Sequence, residues 1–231
     1  MPGLFITATG TASGKTFLTR GLAAHLRTRG EDVAALKPIE TDCTPEPRDA
    51  LALARASGHP EIASDEVFYR VGPPLSPYAA TLEGELPPSL DAIIERCHDL
   101  AAAHDRILVE AAGGLLVPID RDRDMASFAA ALAYPVLIVA PNRLGVISHA
   151  RATLEAAERR RLPVAGLILT EPDRNRDPSS TSNAQVLRDW TSTPVLEFPH
   201  CPDDDDALAT AVADSGVLEL IGLESEEDST R

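Results

Sequence analysis

A lysine and a threonine follow a run of small residues near the start of the chain. The segment from Phe5 to Thr16 reads FITATGTASGKT, with a strand-like apolar run at its start and a helix-like sequence after it. Backbone N–H groups that no bulky side chain covers can close around phosphate oxygens, and a helix N-terminus adds partial positive charge. Lys15 can supply a cation for the outer phosphates and Thr16 a hydroxyl for Mg²⁺. The segment therefore predicts a phosphate-binding loop.

This loop departs from the usual phosphate-loop pattern. The pattern has a glycine five residues before its Gly-Lys pair, where this chain has Thr9, and Gly10 is the only other glycine in the loop. A glycine turn leading into a surface helix with an ordinary lysine would explain the same letters. We favour the phosphate loop because a strand, a small-residue turn, Gly-Lys-Thr and a helix coincide.

Strand-like and helix-like segments alternate along the chain about every 30 residues. Predicted strands lie at 4–6, 32–37, 106–110, 134–140, 162–170 and 194–198, and the segment 60–88 is predicted to be irregular. We predict one doubly wound α/β domain over residues 1–223, with about seven mostly parallel strands and helices on both faces, like a P-loop NTPase. The acidic residues 224–231 are predicted to form a disordered tail.

Polar residues occur where several of these strands end. Ligands of doubly wound folds gather at the carboxyl ends of the strands. Lys37 ends the second predicted strand, Glu110 ends a central one, and Asp49 is predicted to cap a short helix. A hydroxyl and one or two carboxylates suit Mg²⁺ bound with a nucleotide, so Thr16, Asp49 and Glu110 are candidate metal ligands. Lys37 could stabilise charge on a transferring phosphoryl group.

Each of these residues also has an ordinary structural interpretation. Asp49 could be a plain helix cap, and Lys37 could be a surface lysine whose stem covers apolar atoms. Glu110 could be a strand-end acid that faces solvent, although so apolar a strand followed by small residues argues against it.

The composition excludes several classes of partner. The formal net charge of −15 argues against nucleic acid or an anionic membrane as the main partner. The chain has no apolar run of about 20 residues, as a membrane span would need, and its first residues lack the features of a signal peptide. Its three cysteines are far apart and are predicted to be reduced thiols. We expect a cytoplasmic protein. The acidic run at 203–206 is interpreted as a solvated helix N-terminus.

Seven blocks of the sequence resemble dethiobiotin synthetases in their order and spacing. They are the loop at 7–16, KPIET at 37–41, DALAL at 49–53, SPYAA at 76–80, VEAAGGLLVP at 109–118, RLGVISHA at 143–150 and EFP at 197–199. The resemblance covers nearly the whole chain. It implies a P-loop fold, a homodimer, and a ligase that converts 7,8-diaminononanoate, CO₂ and ATP to dethiobiotin, ADP and phosphate with Mg²⁺. In that family a carbamate is phosphorylated, and the neighbouring amine then closes the cyclic urea.

The same resemblance implies roles for individual residues. It assigns Lys15 and Lys37 to catalysis, with Lys37 stabilising the carbamate and its phosphorylation, and Thr16, Asp49 and Glu110 to Mg²⁺. Nucleotide-binding residues would be Ala12, Ser13, Gly14, Lys15, Thr16, Phe17, Glu110, Ala111, Ala112, Gly113, Thr170, Pro199, His200 and Cys201. Substrate-binding residues would be Thr41 and, from across a dimer interface, the helix N-terminus formed by Leu144, Gly145, Val146, Ile147 and Ser148.

Five positions depart from that family's usual residues. Ala8 stands where the loop usually begins with glycine, and alanine adopts positive φ less readily than glycine. Ala12 replaces a frequent Glu, Tyr78 a common His, and Ser148 a common Asn. Thr170 stands where many members have an Asn that reads adenine, so we expect relaxed base selection, with another NTP able to replace ATP.

Two other functions would fit a P-loop architecture. One is an ATP-dependent amide ligase of the cobyrinate type, which usually carries an appended glutaminase domain that we do not expect in a chain of this length. The other is a switch ATPase of the partitioning type, which would have a lysine where this loop has Gly10 and a basic or amphipathic surface.

Overall fold

Strands buried on both faces form the centre of the molecule. The structure, a computed structural model, describes residues 3–171 and 177–223. The strands are β1 Gly3–Ala8, β2 Val33–Leu36, β3 Ile39–Glu40, β4 Tyr69–Arg70, β5 Arg106–Glu110, β6 Val136–Pro141, β7 Val164–Thr170 and β8 Val195–Phe198. Over these residues a six-stranded sheet has the order β2-β5-β1-β6-β7-β8 with every pairing parallel, and β3 pairs with β4 apart from it.

Helices connect the strands and cover the sheet. They are α1 Lys15–Thr28, α2 Arg48–Ser57, α3 Pro77–Leu82, α4 Leu90–Ala103, α5 Met125–Leu132, α6 Val146–Arg159, α7 Ser180–Trp190, α8 Asp205–Asp214 and α9 Val217–Leu220, with a 3-10 turn at Pro60–Ser64. Within the described parts of the chain, none is long and apolar enough to cross a membrane.

Alternating side chains of the strands fill two apolar layers, one on each face of the sheet. Phe5 points to the layer that contains α4, α5 and α6, where its ring meets Phe128 edge-on at 5.5 Å between centroids. Its neighbour Ile6 points to the opposite layer, where Leu18 and Leu22 of α1 are fully buried. This double coverage explains why the strands are apolar without a break and fixes their carboxyl ends along one edge.

The doubly wound α/β prediction is confirmed, with six strands in the main sheet of the described chain instead of seven. The segment 60–88 is more regular than predicted, since it holds the 3-10 turn, β4 and α3. Helix α2 begins at Arg48 after Pro47, so Asp49 lies in its first turn and is not its cap. The acidic run does open a helix, because Asp204 caps α8 through the N–H of Ala207. The tail at 224–231 lies outside the described residues, and the single-domain boundary stays a prediction.

Candidate active site

The loop after β1 leads directly into the N-terminus of α1. Gly14 caps that helix with φ of 83°, in the left-handed region that favours glycine. A Cβ at Gly14 would lie 3.0 Å from the Thr170 hydroxyl, which is closer than an ordinary contact, so Thr170 would have to shift to admit a larger residue. Helix α1 starts at Lys15, two residues earlier than the sequence predicted, and its first N–H groups therefore face the loop.

Two alanines of the loop differ in backbone conformation. Ala8 is the last residue of β1, is fully buried, and is not among the described residues with positive φ. The expected difficulty at that position therefore does not arise. Ala12 does adopt a left-handed conformation, with φ of 52°, which costs an alanine on the order of 1 kcal/mol relative to glycine.

Thr170 braces the loop from the end of β7. Its hydroxyl donates to the carbonyl oxygen of Ser13 at 2.7 Å, and the residue is 3% exposed. The one hydroxyl proton is thus used inside the protein. Thr170 lines the cavity beside the loop, but it cannot at the same time donate that proton to a nucleotide base.

A buried carboxylate joins the loop to the neighbouring strand. Oε1 of Glu110, which is fully buried at the end of β5, accepts from the Thr16 hydroxyl and from Nζ of Lys37, each at 2.9 Å. Lys37 also pairs with Asp49 from α2. Four residues that are up to 94 positions apart in the chain therefore form one charged cluster at the carboxyl edge of the sheet.

Lys37 of this cluster and Lys15 of the loop beside it have opposite electrostatic environments. Burial dominates at Lys15 and lowers its pKa from the ordinary 10.5 to about 8, against the attraction of Glu110. Among the residues that the structure describes, its ammonium donates to uncharged oxygens only, 3.2 Å from the Gly10 carbonyl and 3.5 Å from the Ser13 hydroxyl. Burial also works against the charge of Lys37, but the carboxylates of Glu110 and Asp49 raise its pKa above the ordinary value. Lys37 is held as a cation, whereas Lys15 gains most from an anionic ligand.

Glu40 is a contributor that the sequence analysis missed. Its carboxylate accepts the N–H of Asp49 and the N–H of Ala50, each at 2.9 Å, so it caps α2 and fixes the turn that carries Asp49. Burial raises the pKa of Glu40 while these two bonds lower it. The residues directly before a helix are the usual candidates for its cap. Glu40 lies nine residues before Asp49, whose N–H donates to it, so nothing in the sequence pointed to this role.

The donor set at Glu110 fits a divalent cation that prefers oxygen. Oε2 of Glu110 is buried and has no hydrogen-bond partner among the residues the structure describes. A buried oxygen without a partner normally destabilises the folded protein by about 1–3 kcal/mol, and a bound cation would remove that penalty. With the Thr16 hydroxyl and the partly exposed carboxylate of Asp49, it makes a set of hard oxygen ligands of the kind that Mg²⁺ takes.

A cavity of about 550 Å³ opens over the loop, which is within the range of small-molecule sites. Predicted residues in its wall are Ala12, Ser13, Gly14, Lys15, Thr16, Phe17, Lys37, Asp49, Gly113, Thr170, Pro199, His200 and Cys201. Additional lining residues that were not predicted include Thr11, Arg20, Arg48, Glu171, Phe198 and Asp203. The predicted residues Glu110, Ala111 and Ala112 are buried and are not in this wall.

The predicted substrate residues lie outside this cavity. Thr41 follows β3, and the segment 144–148 forms the start of α6, where Gly145 is the cap and Leu144 is 81% exposed. Neither group is in the cavity wall. Their predicted contact with substrate across a dimer interface stays a prediction.

Comparison of the chain with known proteins gives its family. A family model described as an AAA domain matches residues 2–204. The ATP-dependent dethiobiotin synthetase BioD of Anaeromyxobacter dehalogenans strain 2CP-1 is 41% identical over 206 residues, covering 88% of this chain and 92% of that protein. The Aquifex aeolicus protein of the same name is 36% identical over 200 residues, covering 87% and 90%.

Solved structures support the fold. The MinC:MinD cell division complex of Aquifex aeolicus contains a chain similar to this one with a TM-score of 0.56 and 16% identity, covering 92% of this chain and 88% of that one. Chloroplast FtsY of Physcomitrella patens matches with a TM-score of 0.54 and 16% identity, covering 91% and 64%. Identities this low speak for the fold alone, whereas the curated relatives carry the assignment: the chain belongs to the ATP-dependent dethiobiotin synthetase family.

Proposed function

We propose that this protein forms dethiobiotin from 7,8-diaminononanoate and CO₂ at the expense of ATP, as a ligase of biotin biosynthesis. The observation that carries the proposal is the cluster in which Lys37, Glu110 and Thr16 are hydrogen-bonded beside the phosphate loop. That cluster brings a fixed cation, a carboxylate and a hydroxyl to the place where phosphoryl transfer would occur.

The reaction has three bond-forming steps. One amine of the substrate adds to CO₂ and loses a proton, which gives a carbamate. A carbamate oxygen then attacks the γ-phosphorus of ATP, the bond to the bridging oxygen breaks, and ADP leaves. Finally the second amine attacks the carbamate carbon, loses a proton and expels phosphate, which closes the cyclic urea.

The residues of the cavity divide this work. The loop N–H groups and Lys15 bind the outer phosphates, whose charge favours the protonated form of Lys15. Lys37 faces the negative charge of the carbamate and of the transferring phosphoryl group. Thr16, Asp49 and Glu110 would hold Mg²⁺, which when bound neutralises phosphate charge. Thr170 keeps the Ser13 carbonyl, and with it the loop, in the binding conformation.

Substrate binding rests on a second subunit in this proposal. The N-terminus of α6 carries oriented N–H groups that suit a carboxylate, but it lies outside the phosphate cavity of its own chain. A homodimer could bring it to the partner's cavity, with Thr41 contacting the substrate from the first subunit. We place this enzyme in the cytoplasm.

Product formation tests the function. Protein would be incubated with the diamine, bicarbonate, Mg²⁺ and ATP, and the product measured by mass spectrometry. The expected product has the diamine's mass plus one CO and minus two hydrogens, and nucleotide hydrolysis should depend on both the diamine and CO₂. Nucleotide hydrolysis at the same rate with and without the diamine would contradict the proposal and favour a switch ATPase.

A further inference from the structure

A second cluster of polar side chains lies at the amino edge of the sheet, opposite the phosphate cavity. Asp32 precedes β2, His104 precedes β5, and His59 follows α2. Because β2 and β5 are parallel neighbours, Asp32 and His104 meet at the same edge. The cluster is separated from Glu110 by the length of a strand, on the order of 15 Å. It takes no part in the chemistry proposed above.

The three side chains converge on one point. Oδ1 of Asp32 lies 2.7 Å from Nε2 of His59, and Oδ2 lies 3.0 Å from Nδ1 of His104. The two imidazole rings meet at 4.6 Å between centroids. One ligand atom from each residue lies within 4.8 Å of the other two. Two imidazole nitrogens and a carboxylate, with half of the Asp32 side chain open to solvent, match the three protein ligands and free position of an open zinc site.

The other ring nitrogen of His59 supports a metal at this point. Its Nδ1 lies 3.3 Å from a carboxylate oxygen of Glu61, so His59 has a carboxylate at both nitrogens. A neutral imidazole has one donor nitrogen and one acceptor, so without a metal only the protonated ring could donate to both carboxylates. With a metal on Nε2, the proton sits on Nδ1 and donates to Glu61, which is the arrangement that orients most metal-bound histidines.

We propose that Asp32, His59 and His104 form a binding site for a Zn²⁺-class divalent cation. The ligands come from three separate elements, so a bound ion would tie the end of α2 and the end of α4 to the start of β2.

Metal binding to the full chain tests this site. Nucleotide-free protein in excess Mg²⁺, which keeps the oxygen ligands of the phosphate cavity occupied, would be titrated with Zn²⁺ and with Co²⁺. We expect one ion per chain with micromolar or tighter affinity. His59→Ala and His104→Ala should each remove this binding, while His98→Ala, an exposed histidine on α4, should keep it. Glu61→Gln should weaken affinity about tenfold.

A gain-of-signal variant keeps the test decisive if the alanine variants unfold. His59→Cys should give a thiolate-to-cobalt charge-transfer band that wild-type protein, with its three other thiols, does not give. Folded His59→Cys without that band would overturn the proposal. So would wild-type protein that takes up no ion at micromolar concentration, since the three residues would then be a hydrogen-bonded cluster and no more.

Discussion

The two sides of the phosphate cavity each hold a buried lysine, and they shift its pKa in opposite directions. On the loop side, Lys15 contacts a carbonyl and a hydroxyl, and burial lowers its pKa to about 8. On the strand side, Lys37 lies between two carboxylates that hold its charge. The difference shows that carboxylates of the protein compensate the charge of Lys37, whereas the charge of Lys15 would be compensated by an anionic ligand, which we propose to be the nucleotide.

The count of lysines adds weight to this contrast. Lys15 and Lys37 are the only lysines among the 231 residues, and the other basic side chains that make up the 21 are arginines. Lysine carries a compact ammonium on a flexible stem, whereas arginine carries a planar fork of donors, so the two residue types are not interchangeable at these positions. The count was available from the sequence and would have pointed to both residues without any motif.

Removing the fixed cation should have the largest effect. Lys37→Ala should lower turnover by roughly 100-fold or more, the scale of losing one electrostatic stabiliser of a transition state, and leave nucleotide binding largely in place. Steady-state kinetics and nucleotide titration measure the two quantities. Arg29→Ala, which removes an exposed cation at the end of α1, is the matched control. Near-normal turnover of the Lys37→Ala variant would contradict a catalytic role for Lys37 and leave it a structural one.

Loosening the support of Asp49 should have a smaller effect. Glu40→Ala removes the acceptor of two N–H groups in the first turn of α2, so the free energy of unfolding should fall by about 2 kcal/mol. We also expect a higher Mg²⁺ concentration at half-maximal turnover, because Asp49 loses its fixed position. Urea unfolding and a Mg²⁺ titration test this, with the exposed Glu46→Ala as control. An unchanged Mg²⁺ concentration at half-maximal turnover would show that Glu40 does not position Asp49 for Mg²⁺ binding.

Base selection should show the smallest effect. The Thr170 hydroxyl already donates to Ser13, so the base gains no donor from it, and the phosphates dominate binding. CTP or GTP should support turnover within roughly tenfold of ATP, because one neutral hydrogen bond is worth about 1 kcal/mol. Saturation curves for the three nucleotides decide the point. A preference for ATP above about a hundredfold, near 2.7 kcal/mol, would contradict relaxed selection.

The sequence predicted the parts of the site that depend only on parallel strands ending at one edge of the sheet. Lys37 directly follows β2 and Glu110 ends β5, so the parallel alternation was enough to bring them to that edge. It could not predict the cap from Glu40, because that bond depends on how the segment after β2 folds back on itself. Asp32, His59 and His104 were missed because the alternation of elements does not reveal that β2 and β5 are neighbours, which brings Asp32 and His104 together, or that the end of α2 packs beside them and adds His59.

A titration of the two lysines tests the central contrast most directly. Protein carrying [¹³Cε]-lysine should give two lysine NMR signals. One, assigned to Lys15 by Lys15→Arg, should titrate at about pH 8, and the other should keep its charge beyond the ordinary range. Mg²⁺ with nucleotide should raise the first pKa, so nucleotide binding should take up a proton and weaken as the pH rises above 8. Two lysines titrating together near their ordinary pKa of 10.5, unmoved by nucleotide, would contradict the account.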